Sequence, residues 1–148
     1  MTRKQKYPDT KTFHYHNENP KGRITSDCVT RAIARATGVP YAEVVLGLSK
    51  LMIDTGYEWT DKKTINAYLE SLGWRMHKQP RKADGTKYTG KEFCQEIMRY
   101  DCEIDDDFDI HRIIANIGGN HMVAIIEGQV NDIWNSTGGC IGNFWTKD

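Results

Sequence analysis

The chain has no surplus of charge. Lys plus Arg and Asp plus Glu each number 20, so the formal net charge is zero. Without a basic excess there is no general electrostatic pull toward nucleic acid or an anionic membrane, and neither partner is expected. Long apolar runs are also missing: nothing approaches the ~20 residues that cross a bilayer. The basic opening Met1-Thr2-Arg3-Lys4-Gln5-Lys6 is followed by no apolar core, so no secretory signal is read and a cytoplasmic location is expected. Cysteine is sparse. Cys28, Cys94, Cys102 and Cys140 contain no Cys-x-x-Cys pair and are expected as reduced thiols. There is no internal repeat and no low-complexity linker, so residues 1–148 are read as one domain, long enough for a real core.

Signs of a bound metal or cofactor are equally thin, and none is expected. Residues 101–109 hold six acidic side chains but lack the central glycine and closing glutamate of a calcium loop, so they are read as a solvated loop. His14 and His16 share one face of a short strand, with no further ligand nearby in sequence. The basic loop carrying Arg81, Lys82, Lys87 and Lys91 is read as solvated surface.

The stretch Thr25-Ser26-Asp27-Cys28-Val29-Thr30-Arg31-Ala32-Ile33-Ala34-Arg35-Ala36 reads as the start of a helix, with Thr25 or Ser26 as its N-cap. Val29, Ala32, Ile33 and Ala36 form the buried stripe. Cys28 sits in the first turn, where free N–H groups and the helix dipole favour the thiolate. Before this helix, residues 1–24 are polar and read as an extended arm with one strand near 12–16. After it, helices are expected over 41–55, 61–72 and 91–98, ended by Gly56 and Gly73 in the first two cases. A strand is expected at 74–79. From Ile110 the periodicity changes: strands are expected at 110–116, 121–127, 130–135 and 141–146. Helices followed by an antiparallel sheet predict an α+β fold.

His121 begins one of those strands. With a three-residue connection through Glu127, Gly128 and Gln129, Ile126 pairs with Val130 and Asn135 falls opposite His121, close enough to orient the imidazole. In that register Asp132, the alternative, pairs with Ala124 and lies away from the ring. A nucleophilic thiol needs a base within reach and a third group to hold the base, and Cys28, His121 and Asn135 supply them in that order. A zinc site from Cys28, His121 and Cys140 is the lesser alternative.

The Cys, His, Asn order resembles that of the papain-like cysteine peptidases. The chain also looks like small phage-type proteins of papain-like or bacteriocin-processing-peptidase type. The likeness is carried by Asn19-Pro20-Lys21-Gly22, Asp27-Cys28-Val29-Thr30-Arg31-Ala32, Asp84-Gly85-Thr86-Lys87-Tyr88-Thr89, His121 with Val123-Ala124, Asp132-Ile133-Trp134-Asn135-Ser136 and Phe144-Trp145. It implies a papain-like fold, with the nucleophile helix packed on a C-terminal antiparallel sheet. It implies a cysteine hydrolase of peptidase or deamidase type, acting on a protein or peptide and, if phage-encoded, on a host protein in the host cytoplasm. Two positions depart from the pattern. Asp is expected where Asn135 stands. Gly22 occupies the place of the glutamine that helps bind the oxyanion, leaving the Cys28 backbone N–H with Asn19 or Asn17 as donors. The alternative function is a non-catalytic protein of the same fold that binds or inhibits a host protein.

Overall fold

Apolar residues spaced for helices in the first two thirds of the chain and for strands in the last third produce the α+β architecture that the pattern predicts. The structure is a computed structural model. It describes residues 1–99, 101, 102, 104 and 108–147, so much of the acidic segment read as a solvated loop lies outside the described residues. The elements in order are α1 (Arg3–Lys6), β1 (Phe13–Tyr15), α2 (Cys28–Thr37), α3 (Tyr41–Thr55), α4 (Lys62–Ser71), β2 (Trp74–His77), α5 (Gly90–Ile97), β3 (Arg112–Ile117), β4 (His121–Ile126), β5 (Gln129–Asp132) and β6 (Ile141–Lys147).

The strands form one six-stranded sheet in the order β1-β5-β4-β3-β6-β2. Each neighbouring pair among the four C-terminal strands is antiparallel, as expected, but the sheet as a whole is mixed. β1 joins its edge parallel to β5, and β2 closes the other edge antiparallel to β6. The N-terminal arm is therefore part of the sheet. Its Phe13 is fully buried, His16 N–H donates to Asp132 O, and Arg3 Nε donates to Ile133 O at 2.6 Å. These contacts brace the C-terminal end of β5.

Alternation along β3 and β4 divides the core. Ile114, Met122 and Ala124 face α2, α3 and α4, packing on Val29, Ile33, Leu48, Leu69 and Trp145. Ile113, Ala115, Val123 and Ile125 face the other way, onto Phe13, Phe93, Ile97 and Phe144. α3 and α4 approach so closely that a Cβ on Gly47 would lie 2.2 Å from Tyr68 Cε1, which explains glycine in mid-helix. No helix among the described residues is long and apolar enough to cross a membrane.

The β4–β5 connection differs from the three-residue loop that the sequence suggested. Ile126 pairs with Gln129 and Ala124 with Asn131, so the loop is only Glu127-Gly128. Both residues have positive φ, 50° and 73°, as a type I′ hairpin turn requires. The ladder shifts by one residue, and in a strand that shift turns every later side chain to the opposite face.

Candidate active site

α2 begins at Cys28, with Asp27 in the N-cap position, one or two residues later than the expected cap at Thr25 or Ser26. The Asp27 side chain makes no capping bond to its own helix. It accepts instead from Arg31 Nε at 2.7 Å, Tyr41 OH at 2.7 Å and Asn19 Nδ2 at 2.9 Å. Cys28 is left half-buried at the head of the helix. Its sulfur lies near the His121 ring and the Met122 backbone N–H, and both favour the thiolate over the thiol.

On its far side His121 Nε2 meets Asp132 Oδ2 at 2.5 Å. One ring nitrogen is thereby committed to Asp132, so Nδ1 is the nitrogen left for the thiol. The shifted ladder explains this partner. Continued by one step, it sets Asp132 beside Val123, on the same face as His121 and diagonal to it, within reach of a long side chain. Asn135, expected to hold the ring, is displaced by the same shift. It lies beyond β5, exposed, where its Oδ1 accepts from Thr137 N at 3.1 Å and Thr137 Oγ1 at 2.6 Å. Asp132, the alternative, is the residue bonded to His121.

Asp132 is completely buried, and both of its oxygens are satisfied. Oδ2 also accepts from Ser136 Oγ at 2.7 Å; Oδ1 accepts from Ile133 N at 2.8 Å and Arg31 Nη1 at 3.2 Å. Arg31, 6% exposed, thus bridges two buried carboxylates, Asp27 on its own helix and Asp132 on β5. Buried charges persist only where paired and hydrogen-bonded, and here Asn19, Tyr41, Ser136 and the Ile133 N–H supply the remaining donors.

The protonation states follow one direction. Burial pushes the Cys28 thiol up, but His121, the Met122 N–H and the Arg31 charge together bring it below the ordinary thiol range. Burial pulls His121 down, yet Asp132 and the Cys28 sulfur raise it to about 9. Burial raises Asp132, and the His121 contact and charge, with Ser136 and the Ile133 N–H, hold it below the usual carboxylate range. The three shifts act in one direction, each favouring the charged form: thiolate, imidazolium and carboxylate. Such a thiolate is poised as a nucleophile.

A cleft of about 260 Å³ opens beside Cys28, with Thr60, Lys62, Asn116, Asn120 and Met122 among its walls. A second, of about 290 Å³, lies on the His121 side and includes Trp134 and Ser136. The Trp134 ring stands 5.3 Å from the His121 ring, centroid to centroid, so it forms a wall of the site rather than core. Asn116 Oδ1 is buried without a hydrogen-bond partner, a condition that costs about 1–3 kcal/mol.

The other candidates lie elsewhere. The Asn19 carboxamide, proposed as an oxyanion donor, is tied to Asp27, and its oxygen accepts from Lys21 N and Arg23 N. Asn17 Nδ2 donates to Arg23 O. Cys140 is exposed on the approach to β6, and no group of three metal-binding side chains occurs among the described residues. Cys94 is core, its thiol pushed up to about 12 by burial. His14 pairs with Asp9, and His16 with Glu18. Sequence reasoning missed Arg31, Asp27 and Ser136. The signal for the first two was present as an Asp/Arg pair at i, i+4 flanking the buried stripe of α2, where a solvated pair is out of place.

Compared with known proteins, the chain matches no family model, no curated protein and no solved structure.

Proposed function

We propose that this chain is a thiol-dependent hydrolase of papain-like type that acts on amide bonds of proteins or peptides, as a peptidase or a side-chain deamidase. The observation that carries the reading is His121 bonded to a buried Asp132, with the Cys28 sulfur near the same ring. Further support comes from the position of Cys28 at the first residue of a helix packed on the strand that carries His121.

In the proposed reaction the Cys28 thiolate attacks the carbonyl carbon, and the carbonyl electron pair moves onto oxygen. The adduct collapses to a thioester as His121 gives its proton to the departing amine or ammonia. His121 then takes a proton from water, the hydroxide equivalent adds to the thioester, and the acid leaves as the thiolate is restored. Asp132 keeps the ring oriented and its charge balanced throughout.

The test is incubation with denatured proteins and glutamine-containing peptides, read by mass spectrometry. Cleaved chains or amides converted to acids, lost in Cys28→Ala and His121→Ala, are the expected outcome. Products that do not depend on Cys28, or none at all, would overturn the hydrolase reading. The non-catalytic alternative draws on α3, where Leu46 and Ile53 are 69% and 78% exposed and share one side of the helix. Under that reading Cys28→Ala retains full biological activity.

A further inference from the structure

The proposed reaction needs donors for the oxygen that becomes negative when the thiolate adds. The Cys28 backbone N–H, free in the first turn of α2, is one. Position 22 is glycine and Asn19 is committed to Asp27, so neither supplies the second from the segment before the helix.

Asn116 lies on β3 directly opposite Met122. Met122 lines the cleft beside Cys28, and its backbone N–H favours the Cys28 thiolate. Opposed residues on an antiparallel ladder project to the same face, with their Cβ atoms ~4.5–5.5 Å apart. Cys28, Met122 and Asn116 accordingly line one cleft. The Asn116 carboxamide has no structural task to explain it. Its Oδ1 is buried and unpaired, and no hydrogen bond among the described residues engages its Nδ2. A leucine of similar size would fill the space without leaving a polar atom unsatisfied.

We infer that Asn116 is the second oxyanion donor of this site, its Nδ2–H group converging with the Cys28 backbone N–H on the oxygen of the tetrahedral adduct. The assignment rests on the hydrolase reading above. When the thiolate bonds to the acyl carbon, the π pair becomes a lone pair on that oxygen and the two N–H groups stabilise it. When the adduct collapses, the carbonyl re-forms, the bond to the leaving group breaks, and the donors release the oxygen. The cleft thus selects substrates that present a carbonyl flanked by a leaving group.

The experiment compares two reactions of the full chain at Cys28. Acylation by p-nitrophenyl acetate passes through an oxyanion. Exchange with 2,2′-dipyridyl disulfide uses the same thiolate and forms none. Asn116→Ala and Asn116→Leu are expected to slow acylation on the order of a hundredfold while disulfide exchange keeps its rate and pH dependence. Asn116→Leu is further expected to melt at or above the wild-type temperature, because an unsatisfied buried atom is removed. Unchanged acylation in both variants overturns the assignment, as does an equal fall in both reactions or a marked loss of thermal stability in Asn116→Leu. A wild-type thiolate that exchanges readily but is not acylated also overturns it, and leaves the thiolate–imidazolium pair standing. Wild-type disulfide exchange that titrates like a free thiol instead overturns the hydrolase reading itself.

Discussion

The carboxylate of Asp132 sits 2.5 Å from the imidazole of His121, fully buried, with its second oxygen 3.2 Å from the Arg31 guanidinium. A single carboxylate therefore orients the ring that lies near Cys28 and ties it, through Arg31, to the helix that Cys28 begins.

The first consequence is the reactivity of Cys28. Its thiol titrates below the ordinary value and His121 at about 9, so the thiolate–imidazolium pair populates the interval between them. The rate of iodoacetamide labelling at Cys28 is expected to rise at a pH below that of a free thiol and to change again near pH 9 as the ring loses its proton. His121→Ala is expected to move the whole rise toward the free-thiol range. Identical profiles for the two proteins would remove the ion pair.

Asp132 and Asn135 are expected to separate cleanly. Asp132→Asn leaves a neutral amide against His121 and Arg31, so the imidazolium loses its counter-charge; labelling slows at neutral pH and stability falls by about 3–5 kcal/mol. Asn135→Ala removes only the turn contacts to Thr137, costing ~1 kcal/mol with labelling unchanged. Urea unfolding and labelling of the same two variants check both statements, and slow labelling in Asn135→Ala would return that residue to the site.

Stability should bear the sign of these shifts. His121 is raised in the fold, so its contribution is complete below its ordinary value of 6.5 and is lost as pH climbs through about 9. Asp132 is lowered, so its contribution is complete above 3.8 and is lost as pH falls through its depressed value. The melting temperature is expected to decline on both sides. In Cys28→Ala the alkaline decline should begin at lower pH, because the sulfur no longer helps to hold the proton on His121. An alkaline limb that stays in place in that variant would show that the sulfur does not act on the ring.

Arg31→Met leaves Asp27 and Asp132 buried without their shared cation. A loss of about 3–5 kcal/mol is expected by denaturant unfolding. Adding Asp27→Asn should recover part of it, since one of the two stranded charges is then removed. A double variant no more stable than Arg31→Met would separate the two carboxylates energetically.

The β4–β5 turn offers a test of register. Glu127 holds φ 50°, which a non-glycine residue adopts at a cost of ~1–2 kcal/mol, and its bond to His111 is exposed. Glu127→Asn is expected to stabilise the protein by about 0.5–1 kcal/mol, because Asn-Gly suits a type I′ turn. Gly128→Ala is expected to destabilise it: φ is 73° and the new Cβ would lie 2.5 Å from Met98 Cγ. Thermal melts of both variants decide the matter, and a destabilising Glu127→Asn would mean that the turn is held by contacts other than its dihedrals.

Apart from the short helix α1, which stands in an arm read as extended, the sequence by itself determined the order of helices and strands from β1 onward, the start of α2 to within two residues, and the places of Cys28 at a helix start and His121 at a strand start. These are local properties. Apolar spacing, stop signals such as Gly56 and Gly73, and the change to strand periodicity after Ile110 all act within a few residues of where they are written. Only the tertiary structure decided which residue holds His121. That choice depends on whether the β4–β5 loop holds two residues or three, and Glu127 gives no sign that it will accept a positive φ. Once the shorter turn forms, Asp132 turns to the face of His121 and Asn135 leaves it. The structure likewise decided that Arg31 is no surface charge. Its guanidinium finds Asp132 only once α2 has packed on β4 and the end of β5 has come beside it, a contact between residues far apart in the chain that periodicity cannot announce.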